Sequence, residues 1–229
     1  MQEAIVWGPL IIKYNWIAMA FSAFAAYIAM KYWLKDMSEI SKSILEDITN
    51  SLLWAFLIWK FSVIIFNPVA VINNPYYILY FSGGERGILL SAMVVLIFLS
   101  MQCKKRRITF WMYAAVLAAG LLSYKWVYSL FQLIFNYPTP SFLYDLSQIV
   151  LATVLLIWMY SRKKGFEKPQ EINQLIMWFS IGQMTSYFFK SFSEAVFLGL
   201  STEQLVFFAV ALCCLMVQNV IKKENFNES

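Results

Sequence analysis

PTPSFLYDLSQIVLATVLLIWMYSRKKGFEKPQEINQLIMWFSIGQMTSYFFKSFSE, residues 138–194, holds two apolar runs joined by a short basic turn. A helix needs about 20 apolar residues to cross a bilayer, and each run meets that length. The second run carries Gln183, Lys190 and Glu194 in or beside hydrocarbon. Polar groups are expensive there, so a functional reading is the starting point for each. The rest of the chain repeats the theme of apolar spans, basic turns on alternate sides and a few polar groups inside spans.

Composition agrees with that reading. Of the 229 residues, 61% are hydrophobic and 14% charged. A soluble domain carries nearer 45–50% apolar and about 25% charged residues. Such an excess does not fit inside one soluble core of this size. Aromatic residues make up 18% of the chain, with nine Trp, as expected of side chains at headgroup level. The net charge of +5 is spread over turns between spans, with no basic face carrying interleaved aromatics, so nucleic acid is excluded as a partner. The three cysteines, Cys103, Cys213 and Cys214, form no CxxC pair, which argues against a disulfide framework or a thiol redox site. With no histidine, His-based zinc sites, His-ligated haem and a Ser-His-Asp triad are excluded. No metal and no cofactor are expected. The start, MQEAIVWGPL, lacks the basic opening of a cleavable signal peptide, so the first span reads as the insertion signal.

Outward from the opening stretch, the pattern predicts an all-α integral membrane domain over residues 1–229 with seven transmembrane helices. They fall near 15–34, 51–66, 87–101, 110–135, 142–160, 172–192 and 203–221. Charge predicts the orientation. Lys31 stands at the end of the first span with Lys35 and Lys42 after it, and Lys104, Lys105, Arg106 and Arg107 follow the third. Arg162, Lys163, Lys164 and Lys168 follow the fifth, and Lys222 and Lys223 the seventh, whereas the other side has only Lys13 and Arg86. The positive-inside rule then places the N-terminus outside and the C-terminus in the cytoplasm.

Two connecting segments have their own character. Over 36–50, Met37, Ile40, Ile44, Leu45 and Ile48 share one helical face between charges, which predicts a short helix lying on the cytoplasmic surface. Over 67–86, two Asn-Pro pairs, a Tyr-Tyr pair and Gly83-Gly84 predict an extended, turn-rich segment at the outer headgroups.

Several polar groups fall within spans. Lys60 is near the middle of the second, Lys125 in the outer half of the fourth and Lys190 near the outer end of the sixth. Two readings stand for each lysine: a snorkelling stem, or a cation that faces an interior cavity and meets a lipid phosphate. Asp145 opens the fifth span after Tyr144, where a carboxylate favours the helix start. Gln132, Gln148 and Gln183 read either as cavity groups or as interhelical glue. The run Gly83-Gly84-Glu85-Arg86-Gly87 looks like an anion loop, but its spacing matches no phosphate-loop motif.

In order along the chain, several stretches resemble the bacterial prolipoprotein diacylglyceryl transferases. Trp7-Gly8-Pro9 through Tyr14 is similar to that family's Gly-Pro turn and its lead into the first span. Asn74-Pro75 through Gly83-Gly84 resembles its outer Asn-Pro segment and Gly-Gly pair, and Pro138 with Leu143-Tyr144-Asp145 its Pro-x-Gln-Leu-Tyr-Glu motif. Ser161-Arg162-Lys163-Lys164 is similar to its basic loop, and Gly182-Gln183 through Lys190 falls where the family has Gly-Arg and then Glu-Phe-Phe-Arg. The departures are specific. Ile58-Trp59-Lys60 stands for Gly-Gly-Arg, and Glu85-Arg86-Gly87 for a His-Gly-Gly run. The family's Gly-Arg-x-Gly-Asn-Phe-x-Asn-x-Glu stretch would fall near Tyr124 to Leu133 and keeps only a cation, Lys125. Gln183 replaces an arginine, Tyr187 a glutamate and Asn15 the tyrosine of the first motif.

The resemblance implies a bacterial cytoplasmic (plasma) membrane protein that meets phosphatidylglycerol. Its implied reaction is transfer of a diacylglyceryl group to the lipobox cysteine of a preprolipoprotein. It places lipid-phosphate contacts at Lys60, Arg86, Lys125 and Lys190, and cavity polar groups at Tyr144, Asp145, Gln148 and Gln183. Glu85 and Lys125 are the catalytic candidates. Lysine holds a phosphate as a point charge without arginine's bidentate fork. The expectation is therefore weak activity or none. A non-catalytic phospholipid- or partner-binding protein on the same scaffold is a second reading, and a small transporter or a membrane subunit of an export or redox system a third.

Overall fold

A computed structural model describes residues 4–7, 10–35, 40–80, 83–135, 141–166, 168–190 and 199–227. Apart from one antiparallel hairpin, β1 (Ala4–Trp7) with β2 (Leu10–Lys13), the ordered elements are helices. They are α1 (Tyr14–Trp33), α2 (Ile40–Phe66), α3 (Pro68–Asn73), α4 (Tyr77–Tyr80), α5 (Gly84–Arg106), α6 (Phe110–Phe135), α7 (Phe142–Ser161), α8 (Pro169–Ser186) and α9 (Thr202–Asn227). Among the described residues, five stretches are long and apolar enough to cross a membrane: Lys42–Phe66, Gly84–Arg106, Phe110–Phe135, Phe142–Ser161 and Thr202–Asn219. The apolar stretch of α1, Ile17–Trp33, is shorter, and α8 is more polar along its length.

Large apolar side chains point outward. Phe24, Ile65, Leu89, Leu121, Ile157 and Met216 are all more than half exposed. Such continuous apolar surface is intolerable in water and natural in lipid. Inside, by contrast, Ser22, Ser51, Ser62, Ser91, Ser180 and Ser186 are buried. Small side chains of this kind let membrane helices approach, and five of these serines also return a hydrogen bond to their own helix, for example Ser62 Oγ to Trp59 O at 2.8 Å. The chain is a helical, membrane-embedded protein.

The chain divides into two compact units, Leu34–Tyr113 and Met1–Trp33 with Ala114–Ser229. In the first, α2 and α5 form an antiparallel pair. Ser62 Oγ occupies the space that a Cβ on Gly83 or Gly87 would fill, and Gly83 N–H donates to Trp59 O at 3.1 Å. Gly83, Gly87 and Ser91 thus make a small-residue seam at four-residue spacing. Gly83 and Gly87 serve this approach, Gly84 takes a positive φ in open space, and Glu85 and Arg86 are exposed.

Two expectations change here. The amphipathic segment, described from residue 40 onward, continues without a break into α2, so it forms no separate surface helix. Its face is turned inward, with Ile44, Ile48 and Asp47 buried. The reason is Arg106 at the end of α5. Its Nε meets Asp47 Oδ2 at 2.7 Å and its second terminal nitrogen donates to Asp47 Oδ1 at 3.0 Å, while Tyr113 Oη donates to Asp47 Oδ2 at 2.8 Å. A face carrying a fully partnered carboxylate belongs inside. The outer segment is not extended either: α3 starts on Pro68, where a missing N–H is harmless, and Asn74 Oδ1 accepts from Tyr76 N–H at 3.1 Å to turn the chain into α4.

In the second unit, α1 lies along α6. Phe21 stacks on Phe131 at 5.6 Å, and Met30 fills the space beside Gly120. Near the basic turn Trp33, Tyr160, Trp158 and Phe166 form an edge-to-face cluster with centroids 5.1–6.0 Å apart. The antiparallel α8–α9 pair is tied at both ends: Asn173 Nδ2 donates to Cys214 O at 2.9 Å and Gln204 Nε2 to Met184 O at 3.3 Å. The start of α9 is a capping box. Ser201 N–H donates to Gln204 Oε1 at 2.9 Å and Gln204 N–H to Ser201 Oγ at 3.3 Å.

Candidate functional site

Three helices of the second unit bring polar groups together. Lys125 lies on α6, Gln148 on α7 and Gln183 on α8. Lys125 Nζ donates to Gln148 Oε1 at 2.7 Å, and Gln183 Nε2 donates to the same oxygen at 2.8 Å. Because an ammonium can only donate, it fixes the Gln148 amide with oxygen toward the lysine, and Gln183 must then offer its nitrogen. Gln148 is 2% and Gln183 1% exposed, while Lys125 is half-buried. Lys125 Nζ also lies 5.2 Å from the centroid of Phe179, so a ring face receives part of its charge.

The backbone explains how the amides meet. Gly182 precedes Gln183, and the Leu151 side chain of α7 stands where a Cβ on Gly182 would be. A glycine here allows α7 to approach α8 at this level. One turn further along, Trp126 Nε1 donates to Thr153 Oγ1 at 2.9 Å and holds α6 to α7.

The grouping leaves hydrogen-bonding capacity over. Gln148 Nε2 and Gln183 Oε1 are buried and have no partner among the described residues. Such groups in native interiors call for an unseen polar partner. One donor and one acceptor next to a cation make an anion- or hydroxyl-binding arrangement. Among the described residues no group of three or more metal-ligating side chains of the His, Cys, Asp and Glu type occurs.

Other residues read from the sequence stand apart from this trio. Asp145 is buried in the first turn of α7, with Ser141 Oγ donating to it at a long 3.5 Å. The Tyr144 ring meets the Tyr187 ring at 5.6 Å. Helix α8 ends at Ser186 and continues as a 3-10 turn, Tyr187–Phe189, so the α-helix stops short of the expected end at 192. Lys190 follows in extended backbone, over the Tyr187 ring at 5.0 Å and 3.6 Å from Glu203. Lys190 is thus a cation just past a helix end beside an exposed carboxylate. Glu194 lies outside the described residues.

Lys60, Glu85 and Arg86 belong to the other unit. Lys60 lies six residues before the end of α2 at Phe66, about 9 Å along the axis. It is half-buried and engaged with neighbours.

The sequence reading treated Arg106 as one turn charge among four and passed over Asp47 and Tyr113. The signal was Asp47 itself, an acid on the apolar face of Ile44 and Ile48. Comparison with protein-family models, curated proteins and solved structures found no match.

Proposed function

We propose that this chain is a phospholipid-binding membrane protein on a scaffold like that of the prolipoprotein diacylglyceryl transferases, with little or no turnover. The reading takes seven spans, with α1 and α8 added to the five long helices, the N-terminus outside and the C-terminus in the cytoplasm. The phosphate is held by Lys125, and the membrane is the bacterial plasma membrane. The observation that carries the proposal is the Lys125–Gln148–Gln183 contact. It is a cation inside a helical layer whose neighbours are neutral amides with a donor and an acceptor to spare. An isolated charge in hydrocarbon is tolerated when it meets a counter-ion. Among the described residues Lys125 has no carboxylate partner, so a membrane anion is the natural one.

Transfer of the diacylglyceryl group is the second reading. The leaving phosphate would carry more charge in the transition state, and removing one well-placed donor from such a site costs about 10²–10³ in rate. Gln183 supplies no charge where the resemblance expects an arginine. Glu85, the candidate base, is exposed. A preprolipoprotein therefore enters as a bound partner at most.

The test combines two readouts on purified protein. Lipid extracted with the wild-type chain should include phosphatidylglycerol, and extraction with Lys125→Met should not. Incubation with phosphatidylglycerol and a lipobox peptide should give no diacylglyceryl adduct by mass spectrometry. Equal lipid in both proteins defeats the binding site, and rapid adduct formation defeats the non-catalytic reading.

A further inference from the structure

Beside the trio, α6 and α8 leave a wholly apolar groove. Ala118, Leu121 and Leu122 line one side and Leu175, Ile176 and Phe179 the other, around a cavity of about 160 Å³. Leu122 and Leu175 are buried at its floor, whereas Leu121 and Ile176 are exposed at its rim, so it opens sideways to lipid. Phe179 is shared: it walls the groove and lies under Lys125 Nζ.

The helical spacing aligns the two features. Ala118, Leu122 and Lys125 follow one face of α6, and Leu175, Phe179 and Gln183 one face of α8, at three- and four-residue steps. Ala118 is seven residues before Lys125, about 10 Å along the axis. The groove therefore leads along these faces toward the polar trio.

The geometry points to a single-chain lysophospholipid as the occupant, its alkyl chain in the α6–α8 groove and its headgroup on Lys125, Gln148 and Gln183. This deepens the proposed phospholipid site and rests on it. Three features select that class. Lys125 and Gln148 Nε2 offer N–H donors to an anionic phosphate oxygen. Gln183 Oε1 requires a donor in return, which a phosphodiester with both glycerol oxygens acylated does not provide near its chains. A lysophospholipid has a free hydroxyl on the glycerol carbon next to its one ester. One narrow groove beside the trio suits one chain. A fatty acid anion would supply the charge but leave Gln183 Oε1 facing another acceptor, and such buried mismatches are costly.

The experiment is competition between lipids on the full-length protein, read by native mass spectrometry in detergent. Equal amounts of oleoyl lysophosphatidylglycerol, dioleoyl phosphatidylglycerol and oleate would be offered. The lysophospholipid should dominate by about tenfold or more, the value of one good hydrogen bond. Its analogue lacking the free hydroxyl should lose that advantage on the wild type, and Gln183→Leu should bind the two equally. Leu122→Trp, which fills the groove floor, should reduce lysophospholipid binding. Should that variant misfold, the comparison of ligands on the wild type still decides. Equal or stronger binding of the two-chain lipid, lost in Lys125→Met, would overturn the single-chain assignment and leave the phospholipid site standing. Binding of all three lipids unchanged in Lys125→Met would remove both.

Discussion

Gln183 on α8 donates from Nε2 to Gln148 Oε1 on α7 at 2.8 Å, with both side chains almost wholly buried. The same oxygen takes the Lys125 ammonium. Gln148 is therefore the hub, and the two glutamines are not equivalent. Gln148→Leu leaves Lys125 without its acceptor, whereas Gln183→Leu removes one neutral hydrogen bond. Interhelical bonds in membranes contribute about 0.6–2 kcal/mol. Thermal unfolding in detergent should show a larger loss for Gln148→Leu than for Gln183→Leu. The reverse order would mean that Gln148 does not hold the lysine.

The Gly182–Leu151 contact yields a second prediction. Gly182→Ala puts a methyl group into the Leu151 side chain and should destabilise by about 1–3 kcal/mol through overpacking. Leu151→Ala removes the obstruction, so the double variant should recover part of that loss when measured as a double-mutant cycle. Strict additivity of the two changes would show that α7 and α8 do not meet at this level.

Asp47 is held by Arg106 on both oxygens and by Tyr113 on one. Tyr113→Phe should cost about 1 kcal/mol. Asp47→Ala should cost more, near 3 kcal/mol, since it strips a partly buried guanidinium of its partner. The Arg106 side chain is about one third exposed, which keeps the effect at the low end of the range for buried pairs. Unfolding by denaturant in mixed micelles would measure both, and a harmless Asp47→Ala would contradict the inward placement of that face.

Topology provides a fourth prediction. A reporter at the N-terminus should be accessible from outside the cell and one at the C-terminus from the cytoplasm, because the positive-inside rule draws the basic turns to the cytoplasmic side. Two ends on the same side would eliminate an odd number of spans, and α8 would then be the helix to reconsider.

Five of the seven expected spans were legible because their composition leaves lipid as the only suitable solvent, and α6 and α7 begin and end near where hydropathy places them. The start of α2 was not. Periodicity showed an apolar face over Ile44 and Ile48, but a lipid surface and another helix satisfy such a face equally well. Only the distant Arg106 and Tyr113 decide between them. The role of Gly83 and Gly87 was hidden because an anion loop and a close helix crossing both require glycine. Ser201 to Gln204, by contrast, was a readable capping box ahead of an apolar run. Of the polar groups inside spans, sequence identified Lys125, Gln148 and Gln183 separately. Their convergence on a single amide oxygen depends on how three helices pack.

The most direct measurement is a phosphatidylglycerol titration of the purified protein, followed by thermal stability, for the wild type, Lys125→Met, Lys60→Met and Lys190→Met. Ligand that binds only the folded state raises stability as its concentration exceeds Kd. The account predicts a clear rise for the wild type and for Lys190→Met, whose lysine pairs with Glu203 at a helix end. It predicts a rise in Lys60→Met as well, and a flat response in Lys125→Met. A Lys125→Met protein that is stabilised as much as the wild type would contradict the site.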